Sequence, residues 1–189
     1  MSVHILVTGG SGYLGSILCE RFLDAGYAVS AIDNLTYGQN SLFHLCASPR
    51  FEFVLGDVRD DNLMEREIAK ADVVIPLAAV VGAPACDRDP RMAHSVNLDA
   101  VKIVNRVRSP QQLVVFPTTN SGYGTQTGDL ECDEDTPLEP ISLYGRTKAD
   151  AEEHLLGTQN IISLRLATVF GMSPRMRLDL LVNHFVYAA

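Results

Sequence analysis

Apolar residues recur along this chain in two rhythms that alternate from end to end. Short unbroken runs predict strands buried on both faces: Val3 to Thr8, Tyr27 to Ile32, Phe51 to Leu55, Val73 to Leu77, Gln112 to Phe116 and Ile161 to Leu166. Between them the spacing is helical. Leu14, Ile17, Leu18, Phe22 and Leu23 line one face of a predicted helix from Tyr13 to Ala25, and Gly26 is placed to end it. Further helices are expected over Pro90 to Arg108, Leu143 to Leu156 and Leu178 to Tyr187. Strands alternating with helices define an α/β fold, a doubly wound parallel sheet with helices on both faces. Right-handed crossovers bring the C-terminal ends of the strands to one edge. The segment after Thr8, Asp33, Asp57 and the segments after Leu77, Phe116 and Leu166 meet there, where open α/β sheets bind ligands. The acidic, turn-rich stretch from Gly124 to Pro140 reads as a mobile loop.

Composition narrows the class. The 189 residues suffice for one α/β domain, and 47% hydrophobic with 20% charged residues is ordinary for a globular protein. A net charge of -8 without a basic cluster argues against a nucleic-acid partner. Cys19, Cys46, Cys86 and Cys132 are too scattered for a metal clip or redox pair, and the five histidines are equally dispersed, so no metal is expected. No apolar run has membrane-spanning length, and no leader precedes the first strand; the expectation is a cytoplasmic protein without a membrane partner.

Thr8-Gly9-Gly10-Ser11-Gly12-Tyr13-Leu14-Gly15 joins the first strand to the first helix with G-x-G-x-x-G spacing. Glycines permit the tight turn and a close approach of backbone amides to a pyrophosphate, whose charge the helix N-terminus favours. Asp33 closes the second strand, where a carboxylate accepts hydrogen bonds from ribose hydroxyls and repels a 2′-phosphate. No Arg or Lys follows at once, so NAD is preferred to NADP. Asp57, in Gly56-Asp57-Val58, ends the third strand. Two readings stand level: Asp57 receives the adenine amino group while the Val58 backbone meets the ring, or Asp57 caps the following helix.

Tyr144 and Lys148 lie four residues apart on a predicted helix and so share a face. A nearby ammonium favours the phenolate and lowers the tyrosine's pKa toward that of a useful base. Pro117-Thr118-Thr119-Asn120-Ser121-Gly122-Tyr123-Gly124 follows the fifth strand and offers hydroxyls to hold a substrate. With these residues the chain resembles the extended short-chain dehydrogenase/reductase family, nucleotide-sugar 4-epimerases in particular. The glycine motif, Asp33, Gly56-Asp57-Val58, Leu77-Ala78-Ala79, Val96-Asn97, the Thr119 segment and the Tyr144/Lys148 pair occur in the family's order.

The resemblance implies a Rossmann fold and NAD, held by Gly9, Gly12, Tyr13, Leu14, Gly15, Asp33, Asn34, Asp57, Val58, Leu77, Ala78, Ala79, Thr118, Tyr144 and Lys148. Thr119, Tyr144 and Lys148 are the implied catalytic residues, with Thr119 placed by its position four residues before a Tyr-Gly pair. Dehydratases of the family carry an acidic pair where this chain has Asn120 and Ser121, which disfavours elimination of water. Thr168 stands where epimerases have Asn. The tail from Ser173 looks like that of a bacterial subgroup acting on GDP-linked heptoses, which makes Arg175, Arg177 and Asn183, with Thr119, Asn120 and Thr168, candidate contacts for a UDP- or GDP-linked sugar.

Relatives of this kind extend beyond the position of Ala189. Residues 1–172 are therefore expected to form the NAD-binding domain, and 173–189 to begin a truncated substrate region. A homodimer through the helices near Pro90–Arg108 and Leu143–Leu156 is also implied. The expected chemistry is NAD-dependent oxidation at C4 of a nucleotide-linked sugar, as a 4-epimerase or 4-dehydrogenase. The alternative is a non-catalytic dinucleotide sensor or scaffold.

Overall fold

The computed structural model describes residues 2–125 and 131–189, so part of the expected mobile loop lies outside the described residues. Strands β1 (His4–Thr8), β2 (Ala28–Asp33), β3 (Phe51–Leu55), β4 (Val73–Pro76), β5 (Leu113–Thr119) and β6 (Ile161–Leu166) form one sheet in the order β3-β2-β1-β4-β5-β6. Every neighbouring pair is parallel. The register sets Thr8 beside Ile32 and Pro76, Asp33 beside Leu55, and Thr119 beside Leu166, which draws the strand ends onto one edge. The order reverses between β1 and β4, the topological switch point at which such sheets receive a ligand.

Period-two alternation divides β1 between two cores. Leu6 packs with Met64 and Ile68 of α2 (Asp61–Ile68), Val101 and Val104 of α5 (Ala100–Val107), and Leu155 of α6 (Leu143–Leu156). Ile5 and Val7 turn the other way, onto Cys19 and Leu23 of α1 (Tyr13–Asp24). Helix α1 ends as its sequence implies, with Gly26 at a positive φ of 95° just past the last turn.

The expected helix over Pro90 to Arg108 is not uniform. It begins as α4 (Pro90–His94), passes through a π-helical turn at Ser95–Asp99, and continues as α5. The short α3 (Ala83–Arg88) before it was not foreseen; Gly82 at φ 87° and Pro84 in its first turn mark its start. Helix α7 (Leu181–Ala188) closes the described chain and starts three residues later than expected. Asp60, not Asp57, caps α2, accepting from the amides of Asn62 and Leu63, so the capping reading of Asp57 is corrected.

Leu6 is wholly buried whereas Leu164, on the edge strand β6, is 42% exposed. Leu6→Ala is expected to lower stability by about 2–5 kcal/mol and Leu164→Ala by far less. Urea unfolding checks this as a shifted midpoint at an unchanged slope.

Candidate active site

The glycine loop is pressed against its surroundings so closely that its residue types are dictated. Gly9 has φ 68°, and a Cβ there would lie 2.7 Å from the Ala78 amide nitrogen. A Cβ on Gly15 would lie 2.4 Å from the Gly9 carbonyl oxygen. Gly12 occupies the N-cap of α1 and provides no side-chain cap. The first turn, Tyr13 to Gly15, thus presents its backbone N–H groups without a side-chain acceptor, as a site for an anionic group requires.

Asp33 locks this loop to β2. One carboxylate oxygen accepts from the Ser11 amide at 3.0 Å; the other accepts from the Leu35 amide at 2.8 Å and from Gln39 Nε2 at 3.3 Å. Burial raises the Asp33 pKa, against the pull of the Leu35 and Ser11 amides and the Arg175 charge. A carboxylate has about four acceptor positions, so these donors leave room for a ribose hydroxyl. Leu77 and Ala78 complete the floor: the Leu77 amide donates to the Thr8 carbonyl at 3.1 Å and the Ala78 amide to Thr8 Oγ1 at 3.3 Å. Ala79 continues the same segment half-buried, and Val58 and Thr118 are buried below the edge.

Asn97, in the π-helical turn, holds the backbone beyond Ala79. Its Oδ1 accepts from the Val80 amide at 2.8 Å, and its Nδ2 donates to the Val80 carbonyl at 3.0 Å and to Thr147 Oγ1 at 3.3 Å. This side chain therefore ties the segment after β4 to α6.

Helix α6 starts from a Ser142 cap, whose Oγ accepts from the Gly145 amide at 3.0 Å. Its first turn lies on the residues after β5. A Cβ on Gly145 would come within 2.9 Å of the Ser121 carbonyl oxygen, and Lys148 Nζ donates to the Pro117 carbonyl at 2.8 Å. The immediate neighbours of Tyr144 and Thr119 are thereby packed together. Thr119 Oγ1 accepts from the Ser121 amide at 3.1 Å and caps the short 3-10 turn Asn120–Tyr123.

The electrostatics correct one expectation. The Tyr144 pKa is raised, not lowered: burial is the largest cause, charge on Cys86 adds to it, and the Arg177 cation opposes it. The ammonium of Lys148 is turned to Pro117 and lies 4.0 Å from the centre of the Phe116 ring. Burial brings its pKa down to about 7, partly offset by the charge of Glu152. Shared helical spacing put the two side chains on one face, but a buried ammonium without a carboxylate in contact takes the nearest carbonyl.

The expected sugar contacts are dispersed. Asn183 is buried, its Oδ1 accepting from the Gly171 amide at 2.8 Å and its Nδ2 donating to Tyr13 Oη at 3.1 Å and the Arg177 carbonyl at 2.9 Å. Tyr13 Oη donates in turn to the Gly171 carbonyl at 2.7 Å, and Ser173 Oγ to the Tyr13 carbonyl at 2.8 Å. Asn183 is thus a latch between the tail and the glycine loop instead of an open contact. Arg175 lies 5.0 Å from the centre of the Tyr37 ring, in the field of Asp33. Arg177 pairs with Asp179 and is the cation felt by Tyr144. Thr168 is exposed beyond β6. Asn120 lines a cleft of about 820 Å³ with Tyr123, Glu152 and Arg165.

Three contributors escaped the sequence reading. Arg59 grips Asp57, and an Asp-x-Arg spacing at a strand end was the available signal. Cys86 and Gln39 reach the site through the tertiary fold, which no local pattern announces. All four cysteines are free. Among the described residues no group of three or more His, Cys, Asp or Glu is placed to hold a metal, and no helix is long and apolar enough to cross a membrane.

A switch-point site with a bare helix N-terminus and a carboxylate closing the neighbouring strand has the form of a dinucleotide-binding α/β protein. The chain belongs to the NAD dependent epimerase/dehydratase family, whose profile matches residues 5–188. An uncharacterized UDP-glucose epimerase of Bacillus subtilis (strain 168) is 32% identical over 97% of this chain and 61% of its own length. The UDP-arabinose 4-epimerase 1 of Arabidopsis thaliana is 28% identical over 93% of this chain and 45% of its own length. The crystal structure of UDP-glucuronic acid 4-epimerase from Bacillus cereus, in complex with UDP-glucuronic acid and NAD, superposes with a TM-score of 0.83 at 28% identity, covering 96% of this chain and 61% of that one. The chain spans about half the length of the curated relatives it matches.

Lys148 titrates near 10.5 in the unfolded chain and near 7 when folded. Its burial therefore weighs on the folded state below the lower value, and the burden lifts as pH rises between the two, where the unfolded chain holds the extra proton. Lys148→Met is expected to gain most in melting temperature over the parent at a pH of about 6, with the gap narrowing by about pH 10. A gap that stays constant over that range contradicts the buried-cation account.

Proposed function

We propose that this chain carries the NAD-binding and catalytic part of an enzyme that oxidises a nucleotide-linked sugar at C4, as a 4-epimerase or 4-dehydrogenase. The observation that carries the reading is the docking of α6 on the end of β5. Through Gly145 against Ser121 and Lys148 on Pro117, it packs the start of the Tyr144 helix onto the Thr119 turn, on the same sheet edge as the glycine loop and Asp33. Relatives named as UDP-sugar epimerases support a UDP-linked sugar as substrate.

The glycine loop and the first turn of α1, Gly9 to Gly15, hold the pyrophosphate of NAD. Asp33 accepts from the adenosine ribose, Asp57 with the Val58 backbone receives the adenine, and Leu77 to Ala79 with Thr118 line the floor. NAD, when bound, supplies the hydride acceptor for the sugar carbon and, in an epimerase, the donor that returns it. Thr119 and Tyr144 hold the C4 hydroxyl. Tyr144 takes its proton, and the cation that eases this in the present geometry is Arg177. Lys148, with a pKa brought to about 7, is poised to gain or lose a proton near neutrality. Asn120 and Ser121 provide no acid beside a leaving hydroxyl, so dehydration is not part of the reading.

Residues 1–172 are read as the NAD-binding domain and 173–189 as the beginning of the substrate region. A homodimer is proposed through α4–α5 and α6, which lie side by side through Asn97 with Thr147 and Asn105 with His154, the latter pair at 3.3 Å.

A second reading, dinucleotide binding without turnover, draws on the raised Tyr144 pKa and on Lys148 facing Pro117. Incubation with NAD and a panel of UDP- and GDP-sugars separates the two. A new sugar or NADH absorbance is expected, and Tyr144→Phe is expected to lower that rate by about 10²–10⁴ while NAD still binds. A Tyr144→Phe protein working at the parent rate contradicts the proposed base, and NAD binding without any product favours the second reading.

A further inference from the structure

Asp57 follows β3 with a carboxylate that is already fully engaged. Arg59 supplies three donors: its amide to Oδ1 at 2.9 Å, Nε to Oδ1 at 2.8 Å and Nη2 to Oδ2 at 2.7 Å. Asn34 supplies the fourth, Nδ2 to Oδ2 at 3.3 Å. A carboxylate has about four acceptor positions, so the set is complete, and the Asn34 bond is its longest and weakest member. The grip of Arg59 is the largest cause that holds the Asp57 carboxyl at about 2.

Arg59 is itself anchored. Its Nη1 faces Met92 Sδ at 3.2 Å and Ser95 Oγ at 3.5 Å, so the guanidinium spans from the end of β3 to α4 and the π-helical turn. A planar fork bound to both oxygens fixes the plane of the carboxylate as well as its charge. The remaining acceptor position on Oδ2 then points one way, toward the exposed Asn34 on the loop after β2.

We propose that Arg59 is a positioning residue that determines which base the cofactor site accepts. By clamping both oxygens of Asp57 it leaves a single exchangeable acceptor position, held here by the Asn34 amide and taken by the exocyclic amino group of adenine when NAD binds. This deepens the reading of Asp57 as the adenine acceptor and rests on it. An amino donor replaces the Asn34 amide one for one. A purine with a carbonyl at that position sets an acceptor against an acceptor, and the clamped carboxylate cannot turn away.

The test compares NAD with nicotinamide hypoxanthine dinucleotide, which has a carbonyl in place of that amino group, by calorimetric titration of the parent chain and of Arg59→Gln, Arg59→Lys and Asp57→Ala. The parent is expected to prefer NAD about tenfold, the loss of one hydrogen bond to a charged acceptor. Arg59→Gln is expected to bring the preference to about twofold and Arg59→Lys to an intermediate value, since lysine keeps the charge and loses the fork. Arg59→Lys also carries the test if Arg59→Gln does not fold. An Arg59 variant that binds both dinucleotides more weakly at the parent's ratio overturns the inference, because it shows a structural role alone. If Asp57→Ala loses the preference in that case, the Asp57 reading survives. A parent without preference, or an Asp57→Ala protein that retains it, overturns both.

Discussion

Asp33 ends β2 with its carboxylate turned back to the Ser11 amide, 3.0 Å away, and that contact governs the geometry of the whole edge. A loop of Gly-Gly-Ser-Gly has little intrinsic preference, because glycine is nearly as comfortable at positive φ as at negative φ. Here an acceptor on the neighbouring strand fixes its middle. With Ser11 held, Gly9 is pressed against Ala78, Gly15 lies under Gly9, and α1 starts at one angle to the sheet. The carboxylate that would read a ribose is therefore also the one that shapes the phosphate cradle. Its burial raises the energy of its charge, and the amides that lower it again are Leu35 just beyond β2 and Ser11 of the loop it organises.

A different balance holds the α6 side of the edge. Lys148 is buried on the Phe116 ring and the Pro117 carbonyl, an arrangement that satisfies an ammonium geometrically while giving it no full counter-charge in contact. Glu152, which could have served, is engaged by Arg165 Nε at 2.9 Å and Ser163 Oγ at 3.0 Å. Helix α6 thus keeps a cation in reserve at the switch edge, while the tail brings a second one, Arg177, to bear on the phenol. The cofactor cradle and the tail are also joined mechanically, through Tyr13, Gly171 and Asn183.

Much of the frame was legible because local chemistry and tertiary demand agree. β3, α6 and β6 run over the expected residues, where a long apolar run or a Ser142 cap leaves little alternative. The π-helical turn was not legible, since Pro90 to Arg108 has an unbroken helical rhythm and the offset depends on Asn97 reaching Val80. The gathering of the glycine loop, Asp33 and the Thr119 segment on one edge was legible because parallel strands bring their C-terminal ends together. Side-chain direction was the harder matter. Helical spacing placed Tyr144 and Lys148 on one face but said nothing of the carbonyl that captures the lysine. The partners of Arg175 and Asn183 were hidden for a related reason: a tail that folds back across α1 gives its polar residues contacts that a linear reading does not show.

The wide turn at Ser95–Asp99 has a consequence for how this fold tolerates change in length. A π turn accommodates one residue more than the α-helical ladder around it. Excising a single amino acid there would restore an ordinary ladder with its phase kept, whereas winding every residue present into that ladder would swing all that follows by about 100°. Val101 and Val104 would rotate out of the interior they share with Leu6, and Asn97 would lose its hold on the strand-end backbone. The extra residue is therefore a phase adjuster: it lets one continuous rod present an amide to the ligand edge at its middle and a hydrophobic stripe to the sheet further along.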